Sequence, residues 1–263
     1  MLVRAYAKIN WSLRITGKRA DGFHDLETLF QTISLHDTLT FDAADRLILT
    51  CDDPSIAVDE TNLVLRAARA VGAPPVAITL HKTIPAGGGL GGGSSDAAAT
   101  LKTLASTNES LDEIALGLGS DVPFFLMGGT AYATGRGEVL TPMPPLAGIP
   151  LLLLIPEERV STAEAFGMLQ RFSPPLGMAH YQRLIAGDFL SHAAELRNDF
   201  EEPVFNSLPQ LRRLKRGLLE EGAAWAAMSG SGSTIVGAFR TAADRDAAHQ
   251  RFAGVRAVRA ETI

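Results

Sequence analysis

The sequence predicts a mixed α/β (α+β) chain of two domains, and three observations carry that prediction. Lys8 to Ile15 alternates strictly, with Ile9, Trp11, Leu13 and Ile15 on one face and Lys8, Asn10, Ser12 and Arg14 on the other, which is a strand pattern. Val76 to Ile84 alternates again, runs into a glycine-rich stretch and is followed by Ala97, Leu101, Leu104 and Ala105 at helical spacing. Pro142, Pro144, Pro145, Gly148 and Pro150 crowd one short segment, which places a domain boundary at 148/149.

The remaining elements follow in order. Ala20-Asp21-Gly22 is a turn, with Phe23 and His24 directly after it. Leu26 to Leu35, Thr38 to Phe41 and Arg46 to Thr50 read as short strands. Asn62 opens a helix through Val71 that Gly72 and Pro74 stop. Ser110-Leu111-Asp112-Glu113 has the form of a capping box, opening a helix that ends near Gly117 or Gly119. Pro123 biases Val122 toward extended backbone, so Asp121 sits between a helix stop and an apolar run. A carboxylate there either caps a turn or faces a cleft, and capping is the commoner outcome. Thr130 to Thr134 is a strand closed by Gly135-Arg136-Gly137, and Leu151 to Ile155 begins the second half. Ser161-Thr162-Ala163-Glu164 is another capping box, on a helix that carries Phe166. Ala179 to Ile185, Ser191 to Leu196 and the Leu208, Leu211, Leu214, Leu218 row are helical, and Trp225 to Met228 and Thr234 to Phe239 are strands. Between those two strands lies a second small-residue loop, Ser229-Gly230-Ser231-Gly232-Ser233.

Composition narrows the function classes. The chain has 263 residues, 46% of them hydrophobic and 20% charged, enough for a sizeable core. A net charge of -5 gives no sign of a nucleic-acid or anionic-membrane partner. Cys51 is the single cysteine, so no internal disulfide forms, which fits a reducing compartment. No apolar run has the length of a membrane span, and patterned strand begins at once after Met1, which leaves no room for a signal peptide. These features predict a cytoplasmic protein.

The chemistry concentrates in Pro85-Ala86-Gly87-Gly88-Gly89-Leu90-Gly91-Gly92-Gly93-Ser94-Ser95-Asp96, where six of the seven positions from 87 to 93 are glycine. Ser94, Ser95 or Asp96 can serve as N-cap of the helix that follows. Strand, glycine loop and helix start together aim backbone N–H groups and the positive helix end at one point, where a phosphate fits. No Gly-Lys-Ser/Thr closes the loop, so it is not a Walker A motif. Lys82 shares the apolar face of Val76, Ile78, Leu80 and Ile84. It either snorkels at a sheet edge or extends its ammonium toward a phosphate. The polar face of Lys8 and Asn10, taken alone, has the pattern of a solvated face.

Four segments line up in order: Ala7-Lys8-Ile9-Asn10, Pro85 to Ser95, Leu118-Gly119-Ser120-Asp121-Val122-Pro123, and Met228-Ser229-Gly230-Ser231-Gly232. This series resembles the galactokinase/homoserine kinase/mevalonate kinase (GHMP) superfamily of small-molecule kinases. Thr16 to His24, Gly89 to Ser95, Gly135-Arg136-Gly137-Glu138 and Asn198 to Pro203 are similar, more narrowly, to members of non-mevalonate isoprenoid synthesis. Those members phosphorylate an alcohol joined to cytidine diphosphate. The resemblance covers nearly the whole chain. It implies the two-domain GHMP kinase fold, with the active site in the cleft between a nucleotide-binding domain 1–148 and a domain 149–263. It implies ATP as co-substrate with Mg²⁺, and a small-molecule acceptor carrying a cytidine diphosphate group.

Residue by residue, the resemblance implies that Asp121 is the base toward the hydroxyl and that Lys8 lies beside it. Pro85, Ala86, Gly87, Gly88, Gly89, Leu90, Gly91, Gly92, Gly93, Ser94 and Ser95 would wrap the nucleotide phosphates, with Lys82 adding a charge. Asn10, Phe23, His24, Thr162 and Phe166 would contact the acceptor, aromatic rings sandwiching the cytosine. Such a site suits phosphoryl transfer, which asks a protein chiefly to position groups and stabilise charge. Phe23 stands where members often have tyrosine, and Asp96 where some have asparagine; Asp96 would be an acid in the first helical turn. A sister kinase acting on mevalonate or homoserine, and a non-catalytic nucleotide sensor on the same fold, are the alternatives.

Overall fold

Alternating β-branched and aromatic residues make the first fifty positions nearly all strand. The computed structural model describes residues 1–106 and 110–263. In chain order the elements are β1 (Leu2–Lys18), β2 (His24–Ala43), β3 (Ile48–Cys51), α1 (Leu63–Ala70), β4 (Val76–His81), α2 (Gly92–Leu104), α3 (Asp112–Leu118), α4 (Val122–Met127), β5 (Thr130–Thr134), β6 (Val139–Pro142) and β7 (Pro150–Ile155). They continue with α5 (Thr162–Gly167), α6 (Met178–Ala186), α7 (Phe189–His192), a 3-10 turn (Ala193–Glu195), α8 (Glu201–Ser207), α9 (Pro209–Glu220), β8 (Trp225–Met228), β9 (Ile235–Ala238), α10 (Ala242–His249) and β10 (Arg256–Glu261).

The chain divides into two compact units. The first comprises Met1–Ala7, Leu35–Ala86 and Gly91–Gly128, and the second Lys8–Ser34, Gly87–Leu90 and Gly129–Ile263. In the first unit the C-terminal half of β2 pairs antiparallel with β4, Thr38 opposite His81, and β4 pairs parallel with β3. The apolar rows of these strands bury Leu39, Phe41, Ile78 and Leu80 with Val64, Leu65 and Ala68 of α1. Burial of this kind, at about 25 cal/mol per Å² of apolar surface, is the main force holding the unit together.

In the second unit the N-terminal half of β2 pairs with β5, and β5 with β6. A separate four-stranded antiparallel sheet runs β10-β7-β9-β8. Its core packs Leu152, Leu154, Met228 and Ile235 against Val204, Phe205, Leu211 and Leu218 of α8 and α9. Leu13 of β1 exchanges backbone hydrogen bonds with Arg197 and Asp199. Trp11 and Trp225, both buried, lie with ring centroids 4.7 Å apart, and Phe189 meets Trp11 edge-on.

Several elements depart from expectation, each for a local reason. The strands expected over 26–35 and 38–41 are one strand, β2, because Asp37 between them is buried and its carboxylate is satisfied there. The strand from Val76 ends at His81, short of Lys82. Helix α2 starts at Gly92 with left-handed Gly91 as its cap. Neither Ser94, Ser95 nor Asp96 caps it, and Asp96 is its fifth residue, past the first turn. The Ser110 capping box does not form: α3 starts after Leu111 without a side-chain cap. Val122 is helical despite the following proline, since Pro123 sits in the first turn of α4, where its missing N–H is harmless. The Ser161 box forms as read, with both reciprocal hydrogen bonds.

Candidate active site

The polar face of β1 is not solvated. Lys8 is 4% exposed, and Asn10, Ser12 and Arg14 are buried beside it in the second unit. Burying a lysine is expensive unless its charge is engaged. Lys8 Nζ donates to Asn10 Oδ1 at 2.8 Å and lies 5.0 Å from the centroid of Phe30. The Lys8 backbone N–H donates to the carbonyl of Leu90 at 3.0 Å, so the strand is tied to the glycine stretch at the position of the lysine.

That stretch, Gly87 to Leu90, is seated on the second small-residue loop. Ser229 Oγ donates to the Gly89 carbonyl at 2.8 Å, and the Thr234 N–H to the Gly88 carbonyl at 3.3 Å. Gly89 has φ +75°, and a Cβ there would lie 2.0 Å from the Ser229 carbonyl oxygen, so only glycine permits the approach. Buried Asn198 holds the partner loop: its Nδ2 donates to the carbonyls of Met228 and Gly230, each at 2.7 Å, while its Oδ1 accepts the Phe200 N–H.

In the first unit, α2 has no side chain capping its start. The Ser95 N–H reaches the Gly91 carbonyl, leaving the N–H groups of Gly92, Gly93 and Ser94 without intrahelical acceptors. This is a donor cluster at a positive helix end, suited to phosphate oxygens. Ser95 turns inward, its hydroxyl donating to the Tyr6 carbonyl at 2.6 Å. Asp121 occupies the cap position of α4, but its side chain makes no capping hydrogen bond.

Residues 62–129 match the model described as GHMP kinases N terminal domain, and residues 182–255 the model described as GHMP kinases C terminal. The chain is 44% identical over 266 residues to the 4-diphosphocytidyl-2-C-methyl-D-erythritol kinase of Chlorobium phaeobacteroides, covering 95% of this chain and 93% of that one. It is 44% identical to the enzyme of the same name from Solibacter usitatus, covering 82% of that protein. A crystal structure of 4-(cytidine 5'-diphospho)-2C-methyl-D-erythritol kinase superposes with TM-score 0.84 at 33% identity, covering 100% of this chain and 99% of that one. The chain belongs to the 4-diphosphocytidyl-2-C-methyl-D-erythritol kinase family. A Methanococcus jannaschii mevalonate kinase, TM-score 0.67 at 16% identity over 100% of this chain and 98% of that one, shares the fold.

As a member of that family it is an ATP-dependent small-molecule kinase with the GHMP kinase fold. No helix among its described residues is long and apolar enough to cross a membrane. Lys82 departs most from its expected place. Its side chain is buried and ion-paired with Asp37 and Asp96, the latter at 2.9 Å, instead of extending to a phosphate. A lysine can be buried at that depth only with its charge matched, and two carboxylates match it. Asp37 also accepts the N–H groups of Thr83 and Ile84 at 2.6 and 2.8 Å, fixing the backbone that leads into the loop. Burial pushes the Asp96 carboxyl up to about 7 against the opposing pull of Lys82, and the two carboxylates raise Lys82 against its own burial.

On the acceptor side, the kinase stacks His24 on Phe166, ring centroids 4.6 Å apart and 17° from parallel, with Phe172 at 6.1 Å and Phe200 edge-on to Phe166. The two rings face each other at contact distance. Burial lowers the His24 pKa, with Lys18 adding to the effect, which favours a neutral ring. Phe23 is 51% exposed and outside this stack, under the Arg136 guanidinium at 4.7 Å. Thr162 Oγ1 lies 3.1 Å from Ser231 Oγ. Sequence reading missed Asp37, Thr28 and Phe172. Asp37 and Thr28 lie within what read as ordinary strand and turn, and Phe172 lies in a segment without a motif.

Proposed function

We propose that the chain transfers the γ-phosphoryl group of ATP to the 2-hydroxyl of 4-diphosphocytidyl-2-C-methyl-D-erythritol, in non-mevalonate isoprenoid precursor synthesis in the cytoplasm. The observation that carries this reading is the buried Lys8–Asn10 pair tied through the Lys8 N–H to Leu90 of the glycine stretch. A solvated lysine would argue for a surface role. One buried on a polar strand face and joined to a glycine stretch is placed for chemistry on anions. The substrate identity rests on the family, together with the His24 and Phe166 rings that suit a nucleobase.

In this reading the N–H groups of the loop and of the α2 start hold the nucleotide's phosphate oxygens before reaction, so little reorganisation is required as charge shifts. Mg²⁺ arrives with ATP as part of the nucleotide substrate. Among the described residues no group of three His, Cys, Asp or Glu side chains could hold a metal ion alone. Asp121 accepts the proton of the acceptor hydroxyl as the P–O bond forms, and Lys8 stabilises the negative charge that develops on that oxygen. Asn10 and the His24–Phe166 pair orient the acceptor.

The test is ADP release with the diphosphocytidyl alcohol beside mevalonate and homoserine. The diphosphocytidyl compound is expected to dominate, and a preference for either of the others overturns the assignment. Asp121→Asn is expected to keep ATP affinity while lowering kcat by at least about a hundredfold, the range of a lost general base. Near-normal turnover removes Asp121 from the mechanism.

A further inference from the structure

We propose that Thr28, on β2, is a positioning residue for phosphoryl transfer: its hydroxyl dictates which end of the Asn10 amide faces Lys8, and so where the ammonium sits. The proposal rests on the catalytic reading of Lys8 given above. Thr28 is fully buried, and its Oγ1 lies 2.6 Å from the Ser12 carbonyl oxygen and 2.7 Å from Asn10 Nδ2. A carbonyl only accepts, so the single hydroxyl proton points at Ser12. Thr28 Oγ1 is then an acceptor toward Asn10, and the atom facing it must be the NH₂ group. A reversed amide would set two oxygens against each other with no proton between them.

With Nδ2 fixed toward Thr28, Oδ1 is presented to Lys8 Nζ at 2.8 Å. Lys8 donates in turn, as an ammonium must. Phe30, two residues beyond Thr28 on the same face of β2, lies under the ammonium at 5.0 Å. Thus two alternate residues of β2 set the lysine's position, one through the amide and one through its ring. Without the hydroxyl the Asn10 NH₂ group loses its acceptor, and the amide that meets the ammonium loses one of its two anchors. On the far side of Ser12, Tyr181 Oη lies 3.2 Å from both Ser12 Oγ and the buried Glu27 carboxylate; its one proton goes to the carboxylate, which only accepts, so it accepts from Ser12 Oγ.

Thr28→Val keeps the shape and removes the hydroxyl, and Thr28→Ser keeps the hydroxyl and removes the methyl. Both are expected to lower the urea midpoint. Thr28→Val should lower kcat about tenfold, the factor that corresponds to one net hydrogen bond, with KM for ATP unchanged. Thr28→Ser should stay within about twofold of the parent kcat. Equal kcat losses in the two variants, or a parent-like kcat in Thr28→Val, overturns the proposal. A second readout does not depend on activity. The side-chain NH₂ protons of Asn10, assigned by their disappearance in Asn10→Ser, should exchange slowly in the parent and rapidly in Thr28→Val. Rapid exchange in the parent overturns the amide orientation itself. Lys8→Met separates the two readings: unchanged turnover there removes Lys8 from the proposed function, while amide protection still decides the orientation.

Discussion

Replacing Gly89 by alanine is the sharpest available test of how the two small-residue loops of the second unit are joined. Its left-handed backbone, φ +75°, costs an alanine about 1–2 kcal/mol by itself. The larger effect is steric. The new Cβ would lie 2.0 Å from the Ser229 carbonyl oxygen and 2.9 Å from its carbon, where ordinary contact starts at 3.4 Å. Both are backbone atoms, so no rotamer relieves the overlap and the loops must part. Parting them breaks the Ser229 Oγ–Gly89 and Thr234–Gly88 hydrogen bonds, worth about 1 kcal/mol each. The expected loss of stability is about 3–5 kcal/mol, with a marked rise in KM for ATP. Gly87→Ala is the control. Its φ is +70°, but nothing lies within 4 Å of its added Cβ, so only the backbone term of about 1–2 kcal/mol applies. Urea denaturation followed by far-UV circular dichroism compares the two. Equal losses in both variants would show that the loop contact does not constrain Gly89 and would refute the reasoning.

Two further predictions concern the Asp37–Lys82–Asp96 cluster of the first unit. The Asp96 carboxyl is raised to about 7 in the folded chain, so the folded form keeps a proton that the unfolded form releases near the ordinary aspartate value. Its contribution therefore falls as pH rises from about 4 to about 7, and Asp96→Asn should flatten that part of the profile of urea midpoint against pH; an unchanged slope would count against it. Lys82→Met should destabilise by about 3–5 kcal/mol because it leaves two buried carboxylates facing each other. Adding Asp96→Asn to it should recover part of the loss, and strict additivity of the two changes would dissolve the cluster as an energetic unit.

The legible parts were those governed by local rules. The strand before the glycine stretch, the helix after it and the Ser161 box follow from periodicity and from capping, which depend on neighbours in sequence. Lys82 points inward although the strand ends one residue before it. What it met was not legible, because Asp37 lies 45 residues away and nothing local marks it. The Lys8–Asn10 face read as solvated for the same reason: its burial depends on β2, whose Thr28 and Phe30 supply the acceptor and the ring. Capping rules alone set the start of α2 later, at Ser94, Ser95 or Asp96, because serine and aspartate ordinarily outrank glycine as caps. Here left-handed Gly91 begins the helix and leaves its first N–H groups without a capping side chain.

The tryptophan pair has a practical consequence for all of these measurements. The chain's only two indoles, Trp11 and Trp225, stand against each other in the second unit. Intrinsic emission is thus a one-sided gauge, blind to melting confined to residues such as Asp37, Lys82 and Asp96. Followed by emission alone, a Lys82 variant could look intact while the whole first unit had come undone. Ellipticity and fluorescence recorded on the same sample would expose such a partial collapse as two midpoints where a single cooperative transition gives one.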